Sequence, residues 1–598
     1  MKEINYFNVF KKFFVFFLLS FVLICSACNE STNEPTEPTQ SDNQTQINPT
    51  VPDEKTPNTP TPPKTDNVSD EFEGYYEILD GLYVNHLPGV YKEDISLEFK
   101  FEDKKSRLFY SLDYSTPNTM FLKNIKVNFS TDKFINNYPL TSSVDAILAH
   151  DTLGKCVSNM YINNVQNPQK YSLSDKQFVL TIRYVDFEGN ESTRTLTYLN
   201  ADFDIPVISL SMPYDNWFGE ENGFYNKIRE EISHRVHMEY FDSEYDEYFY
   251  VNSKIKLGGN WSLGYPQRTL NLNFNKDENG NKNEKVKAHI FGERMTLGDL
   301  SQPLTDLTRF RLHNGGNCFE ERTGFSDAIL QNLMYGTNVS TTAYRPCVAY
   351  LNGEFWGLYS IREHYSDTYF EDNYGVDKDN VALYELKGSI IFDDGNDTGS
   401  DEFFADLKKF LKNDFSKDNI YYTFIDNYVD VDSLIDCFIA HSYAGNWDFV
   451  GNYNNLKMWR TVEEDPSNPY ADGKLRFCLH DVDFAFMDNA NFLSPQHANS
   501  YMKFDIFAKL MENVNFKIRF YERAAELIET NLSYENVEEV VYSMVDDVMY
   551  YRLAAFKRWG NTTSYSTWRG ENEKVLQFVK DRNKNYLSMV KNTFGLKY

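Results

Sequence analysis

Hydrophobic and polar residues alternate in short runs within residues 71–202. The runs Ile95–Phe101 and Phe178–Tyr184 place apolar side chains at nearly every second position, and a Glu-Gly-Asn turn signal follows at 188–190. Period-two alternation separated by such turns is typical of half-buried strands. The pattern predicts a small antiparallel β-sandwich over residues 71–202.

The next block combines strands with helical periodicity, and it predicts a sheet-rich lobe over about 203–375. Asn352-Gly353 is a favoured two-residue turn, so the run from Ala343 to Ile361 is predicted to be a hairpin. The other predicted elements are strands at Pro206–Leu210, Val236–Phe241, Lys254–Leu257, Pro266–Phe274 and Phe310–Leu312, and a helix at Ser326–Met334.

From residue 376 onward amphipathic helical patterns dominate, and they predict a helix-rich lobe over about 376–598. The predicted helices are 401–412, 432–445, 503–530, 534–557 and 571–592, with strands at Leu456–Trp459 and Leu475–Leu479 between them. The fold class expected for the whole chain is therefore α+β, with two lobes that follow a β-sandwich.

The N-terminus has the pattern of an export signal. An apolar run from Phe13 to Cys25 follows several lysines. Its length suits the apolar region of a signal peptide and is too short to span a bilayer. The run ends in small residues before Cys28, which resembles a bacterial lipobox. We therefore expect a signal peptide over 1–28 with Cys28 lipidated, the alternative being an ordinary secretory peptide cut near Ala27.

Residues 29–70 are rich in Asn, Thr, Pro and Glu and contain almost no apolar residues. Such a segment cannot pack a core and stays extended, so it is expected to be a disordered stalk. Together with the signal region it predicts an exported protein, held at a bacterial cell surface or in the periplasm. Contact with the membrane is then expected through the lipid anchor only.

Composition and charge restrict the class of partner. The 598 residues carry a formal net charge of −29, and aromatic residues make up 16%. The aromatic content supports large cores, whereas the acidic balance argues against a general nucleic-acid partner, because phosphate backbones would repel it. Outside the signal region lie five cysteines at wide spacings that predict neither a disulfide framework nor a zinc site. We interpret Cys156, Cys318, Cys347, Cys437 and Cys478 as small buried residues, with one disulfide as the alternative.

Two acidic loops in the second lobe carry the candidate chemistry. Asn446-Trp447-Asp448 follows a predicted helix, and His480-Asp481-Val482-Asp483 follows a predicted strand. One carboxylate can position a hydroxyl, while a second carboxylate and an amide oxygen can hold Mg²⁺, the division of labour found in phosphoryl transfer. The alternative is that these Asp and Asn residues cap turns.

A glycine-rich turn joins two predicted strands of the first lobe. Gly258-Gly259 follows the strand Lys254–Leu257, and the chain returns as a strand at Pro266. Such a turn can lay backbone N–H groups over phosphates, although many turns of this kind only reverse the chain.

Taken together, these motifs resemble the spore coat protein H (CotH) family of atypical, kinase-like proteins, from about Pro206 to Asp488. The segments that carry the resemblance are Gly258-Gly259-Asn260 with Pro266-Gln267-Arg268, Leu312–Asn317, Tyr344-Arg345-Pro346, Asn352–Tyr359 with Glu363, Asn446-Trp447-Asp448, Asn455 and His480–Asp483.

The resemblance implies a bilobal fold related to protein kinases that uses ATP with Mg²⁺ or Mn²⁺. Asp448 would be the catalytic-loop residue that receives or orients the substrate hydroxyl. Metal would be held by Asp481, by Asp483 and by Asn455, with Asn452 as a weaker candidate for the last position. The residues expected to bind the nucleotide are Gly258, Gly259, Arg268 and Glu363.

Some positions depart from the family pattern. The arginine before the glycine pair is absent, His313 stands where the family has arginine, and Cys318 stands where it has aspartate. A neutral imidazole cannot supply the fixed bidentate charge of a guanidinium, so these changes could weaken or abolish a kinase activity. Arg309 and Arg311 are the two neighbouring residues that could compensate.

The predicted sandwich has a resemblance of its own. Leu87–Tyr91, followed by Leu108–Asp113, is similar to the small β-sandwich of chitobiase-type enzymes. This resemblance implies either a glycan contact or a structural spacer.

Three functions follow as hypotheses. The first is an exported kinase that phosphorylates Ser or Thr of surface or coat proteins. The second is a catalytically inactive kinase-like surface protein that acts in adhesion or envelope assembly. The third, a glycoside hydrolase, requires two carboxylates about 5–9.5 Å apart, and no motif marks such a pair.

Overall fold

A computed structural model describes residues 72–127, 177–487 and 501–597, with short gaps at 113, 201–202, 226, 229, 278–279, 317–322, 451–452 and 560–563. The predictions for the signal peptide with Cys28, the stalk, Cys156, Cys318 and Asn452 lie outside the described residues. Within the described part, no helix has the length and apolar character needed to cross a bilayer.

The described strands before residue 200 form two sheets, in which most strand pairs are antiparallel. One has the strand order β1-β2-β4-β7 and the other β3-β9-β8-β5-β6. Leu97 of one sheet and Ile182 of the other belong to the same buried cluster. The predicted strands at 95–101 and 178–184 are confirmed as β4 and β8. The strands are β1 Tyr76–Leu79, β2 Leu82–Val84, β3 Gly89–Val90, β4 Ile95–Phe101, β5 Arg107–Ser111, β6 Thr119–Met120, β7 Asn124–Val127, β8 Phe178–Val185 and β9 Glu191–Leu199.

A closed barrel of seven strands follows, in the order β10-β11-β12-β13-β16-β18-β17. Its closure joins β10 to β17 in parallel, whereas its other strand pairs are antiparallel. A short pair, β14 with β15, stands apart from the barrel. The strands are β10 Val207–Ser211, β11 Ser233–Asp242, β12 Glu247–Gly258, β13 Thr269–Asn273, β14 Val286–Lys287, β15 Asp306–Leu307, β16 Arg309–His313, β17 Tyr344–Leu351 and β18 Glu354–Arg362.

The predicted hairpin at Asn352-Gly353 is confirmed, and its turn is fixed by more than its backbone. Asn352 has a φ of 49°. Its side-chain oxygen accepts hydrogen bonds from Met212 N at 3.0 Å and from Trp217 Nε1 at 3.1 Å. The short helix that carries Trp217 is thereby attached to the end of the barrel.

A separate four-stranded sheet, called the second sheet below, has the strand order β20-β19-β21-β22 and lies in the region predicted to be mainly helical. β21 and β22 match the two predicted strands, but β19 and β20 were not predicted. β19 is buried at almost every position, so its sequence does not alternate. The strands are β19 Val381–Leu386, β20 Ile390–Gly395, β21 Leu456–Thr461 and β22 Arg476–Cys478.

Ten helices are described, and most of those in the second half match the predicted periodic stretches. The predicted helix 503–530 is wrong in one respect, because it is broken at Asn513. The Asn513 side chain accepts from Asn515 N at 2.8 Å and donates to Phe415 O at 3.0 Å, so it caps the second piece. The helices are α1 Tyr214–Phe218, α2 Ser326–Leu333, α3 Asp367–Tyr374, α4 Ser400–Phe410, α5 Asp418–Asn427, α6 Val431–Ala444, α7 Asp505–Leu510, α8 Val514–Glu529, α9 Tyr534–Arg558 and α10 Tyr565–Phe594.

The largest core joins the outside of the barrel to the helices. Val348 and Leu358 on the barrel share one buried cluster with Ile435 of α6 and Val545 of α9. The barrel interior forms a separate cluster. At the end of α9, Trp559 donates its indole N–H to Trp356 O at 3.0 Å. The C-terminal helices therefore pack against β18.

Three of the cysteines lie in the described part, and their expected role is confirmed. Cys347, Cys437 and Cys478 are free thiols and are buried. Burial raises the pKa of each thiol above its usual value, so these groups stay protonated and unreactive.

Candidate functional site

The loop that follows β22 carries the two acidic residues predicted to bind metal. Asp481 has a φ of 51°, in the left-handed region that is costly for a residue with a side chain. The next residue, Val482, is fully buried. Its backbone N–H donates to Asp327 Oδ1 at 3.1 Å. The loop is therefore held in place by Asp327, in the first turn of α2.

Asp327 is itself fixed by an arginine of the barrel. Arg362, at the end of β18, approaches Asp327 Oδ2 at 2.7 Å. Burial alone would raise the pKa of Asp327, but the charge of Arg362 and the hydrogen bond from Val482 outweigh it and hold that pKa below its usual range. Neither Asp327 nor Arg362 was singled out in the sequence. The available signals were the place of Asp327 in the first turn of a predicted helix and of Arg362 directly before Glu363.

The second acidic loop is folded back on itself. Asn455 donates its side-chain N–H groups to Asp448 O and to Asp448 Oδ2, each at 3.0 Å. Asn455 is 4% exposed, whereas Asp448 is partly exposed. Asn455 thus orients the Asp448 carboxylate. Its expected role was to hold a metal, and only its amide oxygen is suited to that.

Asn446 connects the two loops. Its side-chain N–H group lies 3.4 Å from Asp481 O and 3.0 Å from His441 Nδ1 of α6. Burial lowers the pKa of His441 to about 3, so the ring is neutral and can accept a hydrogen bond. The sequence marked Asn446 only as part of a motif, whereas the structure makes it the link between the Asp448 loop and Asp481.

Charge is concentrated around Asp481. Burial and the carboxylates of Asp327 and Asp448 together raise the pKa of Asp481 to about 7, while Arg311 opposes them. Carboxylates that disfavour each other's ionisation lie near one another in a medium that screens poorly. A cation at Asp481 would relieve this repulsion.

The fit of a divalent metal depends on what else binds. Among the described residues no group of three or more His, Cys, Asp or Glu side chains is placed to hold an ion by itself. Mg²⁺ commonly uses one or two carboxylates together with water and substrate phosphates. The residues around Asp481 therefore fit a metal shared with a nucleotide better than a metal held by protein alone.

Asp483 lies on the other side of the same loop, against the His313–Gly316 segment. Gly316 has a φ of 58°, and a β-carbon built on it would collide with the Asp483 carboxylate. The segment is fixed in turn by Asn314, which donates to Gln267 O at 2.7 Å and accepts from Thr269 Oγ1 at 3.0 Å. Asp483 is thereby connected to the start of β13.

The Gly258-Gly259 turn belongs to the same connection. Gly258 is paired with Thr269 across β12 and β13, and Thr269 contacts Asn314. A β-carbon on Gly258 would lie 2.7 Å from Asn271 Nδ2. Gly259 has a φ of 95°, and a β-carbon there would collide with Ser262 Oγ, so glycine is favoured at this position of the turn.

Arg268 occupies a different place from the one expected at the phosphates. Its side chain is fully buried. The guanidinium donates to Leu263 O at 2.8 Å and to Tyr225 O, and it stacks over the Tyr225 ring at 5.1 Å. These contacts make Arg268 a structural residue that closes the loop between β12 and β13.

Glu363 also differs from its expected role at the cofactor. It is 5% exposed, and Oε2 accepts from Ala343 N at 2.8 Å while Oε1 accepts from Asn373 Nδ2 at 2.7 Å. Burial raises the pKa of Glu363 to about 7. With both oxygens engaged, Glu363 ties the start of β17 to α3.

Backbone strain is concentrated in the two acidic loops. Of the seven described non-glycine residues with positive φ, four lie between Tyr453 and Phe486, and they include Asn455 and Asp481. Such conformations cost about 1–3 kcal/mol each and tend to cluster at functional sites. This concentration supports the sequence-based choice of these loops.

Comparison with known proteins was consistent with the geometry. No curated protein matches the chain. The family model described as CotH kinase protein matches residues 255–586, more than half of the chain. The match begins later than the resemblance noted in the sequence and extends through α7–α9 and into α10, where no motif had been recognised. The chain therefore belongs to the CotH kinase family.

Proposed function

We propose that this protein is an atypical kinase that transfers phosphate from ATP to Ser or Thr of exported, surface or coat proteins. The observation that carries the proposal is the convergence of Asp448, Asn455 and Asp481. They come from two separate loops, and Asp448 contributes to the raised pKa of Asp481. Family membership is consistent with ATP and a divalent metal.

Each residue has a distinct part in the proposed reaction. Asp448 receives or orients the acceptor hydroxyl, and Asn455 holds its carboxylate in one direction. Asp481 would hold Mg²⁺ or Mn²⁺, which when bound neutralises charge on the phosphates. Asp483 packs on Gly316 and keeps the metal-binding loop next to the barrel.

We propose further that the barrel and the helix-rich half act as the two lobes of a kinase-like fold. In support, Arg362 comes from the barrel and Asp448 from the other half, and both influence the acidic groups of one site. The strands before residue 200 are proposed to form the chitobiase-like sandwich and to contact glycan. Export and anchoring through Cys28 complete the proposal.

The second candidate is a catalytically inactive kinase-like protein that acts in adhesion or envelope assembly. Two observations favour it. Arg268 is buried, and burial lowers the pKa of His313 to about 3, so this histidine does not replace the charge of the family arginine. The test below separates the two candidates.

The deciding experiment measures autophosphorylation of the full-length chain with labelled ATP and Mg²⁺ or Mn²⁺. Asp448→Ala and Asp481→Ala are compared with the wild type, and Asp546→Ala, at an exposed position of α9, is the matched control. We expect label in the wild type and the control and none in the two site variants. Absence of label in the wild type, together with no thermal stabilisation by ATP and metal, would favour the inactive surface protein.

A further inference from the structure

Basic side chains form a row on the outer face of the barrel. On β16, Phe310 and Leu312 belong to the buried core of the barrel. The intervening residues Arg309, Arg311 and His313 therefore face outward, because successive side chains of a strand point to opposite sides. The row faces the candidate site.

Neighbouring elements add basic groups to this face. Arg311 is paired across the sheet with Arg362, and His364 follows β18. From the second sheet come Lys457 of β21, which is 7% exposed, and His480, two residues after β22. Lys457 is paired with the last residue of β22 across the sheet, and the ring of His480 lies 6.2 Å from that of Tyr365, the residue after His364. These contacts bring the basic groups of the two sheets together.

Acidic partners neutralise only part of this charge. Arg362 pairs with Asp327 at 2.7 Å. Lys457 pairs with Asp393 and lies 3.7 Å from Glu385 Oε2. Arg309 reaches Asp367 only at 3.5 Å, and its buried Nε has no partner in the described part of the chain.

Arg311 differs from its neighbours. Among the described residues no hydrogen bond or ion pair engages its side chain, and its Nε is buried without a partner. Burial and the adjacent Arg362 lower its pKa to about 10. Arg311 is half-buried, and an Nε that has lost water without gaining a partner is unfavourable, so its presence points to an anion that completes the group.

The position next to Asp481 identifies the kind of anion. Arg311 is the cross-strand neighbour of Arg362, which binds Asp327 at 2.7 Å. Asp327 accepts from the N–H of Val482, the residue next to Asp481, so Arg311 and Asp481 lie on adjoining parts of one site. A ligand that satisfies both a guanidinium and a metal-binding carboxylate carries several negative oxygens. Polyphosphates have this property, and a guanidinium can hold them by two parallel hydrogen bonds.

We infer that Arg311, assisted by Arg309 and Lys457, binds the polyphosphate of the nucleotide, in the role that the buried Arg268 cannot fill. The identity of the ligand as a nucleotide rests on the proposed function, whereas the polyphosphate site itself does not. Inorganic tripolyphosphate carries the same chemistry without the nucleoside, and it separates the two statements.

The test measures tripolyphosphate binding to the full-length chain by calorimetry without divalent metal, beside ATP in a parallel series. Arg311→Gln is the main variant, and Arg311→Met, which keeps the length of the apolar stem, is the second. Arg107→Gln, at an exposed position of β5, is the control. Loss of charge-assisted hydrogen bonds predicts affinity for tripolyphosphate about 10- to 100-fold weaker in both Arg311 variants and unchanged in the control.

Melting temperatures show whether either variant fails for structural reasons. Because Arg311 lacks a partner, its replacement should leave the melting temperature unchanged or raise it. Wild-type affinity in the Arg311 variants, or no tripolyphosphate binding by the wild type, would overturn the inference. If binding is lost as expected but no phosphate is ever transferred, the site stands and the proposed kinase function fails. If Arg311→Gln transfers phosphate with an unchanged KM for ATP, the proposed kinase function stands and the inference about Arg311 fails.

Discussion

The carboxylate of Asp483 lies directly against the Cα of Gly316, so that no side chain fits at residue 316. This contact joins two sequence motifs that are separated by more than 160 residues in the chain. Gly316 also has a positive φ of 58°. The position of the Asp481–Asp483 loop relative to the barrel therefore depends on a glycine.

Gly316→Ala should lower the rate of phosphate transfer by more than its loss of unfolding free energy can explain. The added methyl group displaces Asp483 and with it the loop that carries Asp481. A displacement of about 1 Å at a reacting centre can cost about 100-fold in rate. The measurement is the rate of autophosphorylation at saturating ATP.

The control for this prediction is Gly336→Ala. Gly336 has a φ of 76°, but nothing lies within 4 Å of an added β-carbon. Both variants should lose about 1–2 kcal/mol of unfolding free energy from the strained backbone, and only Gly316→Ala should lose activity. Equal activity in the two variants would show that the Asp483–Gly316 contact is not needed.

Two arginines of α8 provide a matched test of ion-pair burial. Arg523 binds Asp436, which is fully buried and also accepts from Asn338 N at 2.8 Å. Arg519 binds Asp432, and both side chains are more than 40% exposed. Arg523→Ala leaves a buried charge and should cost about 3–5 kcal/mol, whereas Arg519→Ala should cost about 0–1 kcal/mol. Urea unfolding of the two variants measures the difference, and similar costs would contradict the assigned burial.

Glu239 should make stability depend on pH. It is fully buried on β11, where it accepts from Thr197 N at 3.2 Å and from Tyr248 Oη at 3.0 Å. Burial raises its pKa from 4.5 to about 7, against the opposing effects of these hydrogen bonds and of Arg194. The folded state holds a proton that the unfolded state releases, so stability falls as pH rises between about 4.5 and 7.

Glu239→Gln removes this pH-dependent contribution to the stability of the folded state. The melting temperature of the variant minus that of the wild type should increase from pH 5 to pH 8. The neighbouring His237 has its pKa lowered by burial to about 4 and so loses stability as pH falls, but its contribution is common to both proteins and cancels in the difference. A difference that does not change with pH would refute the assignment to Glu239.

Asn455→Ala should impair catalysis without preventing nucleotide binding. Asn455 donates to the backbone oxygen and to the carboxylate of Asp448, and its loss removes both of these restraints on the direction of the carboxylate. We expect phosphate transfer to fall about 10- to 100-fold while thermal stabilisation by ATP is retained. Asn427→Ala, at the exposed end of α5, is the control. A parallel loss of ATP binding would indicate a direct role of Asn455 at the metal.

Local patterns predicted much of the secondary structure. Alternation identified β4 and β8, and the Asn352-Gly353 pair identified the β17–β18 hairpin, because turn chemistry acts over a few residues. β19 was missed since a strand buried on both faces does not alternate. The break at Asn513 was missed because its cap depends on Phe415, almost a hundred residues earlier.

The sequence by itself determined which residue types were available to the site. Asp448, Asn455 and Asp481 could be chosen from motifs, and the family could be named from them, because short motifs keep the local order that the chemistry needs. Tertiary structure decided which charges are accessible. Arg268 and Arg311 are both arginines on barrel strands or beside them, yet Arg268 donates to main-chain carbonyls, whereas the Nε of Arg311 has no partner among the described residues. Burial and pairing depend on contacts between distant segments, and those contacts exist only after the barrel, the second sheet and the helices have packed.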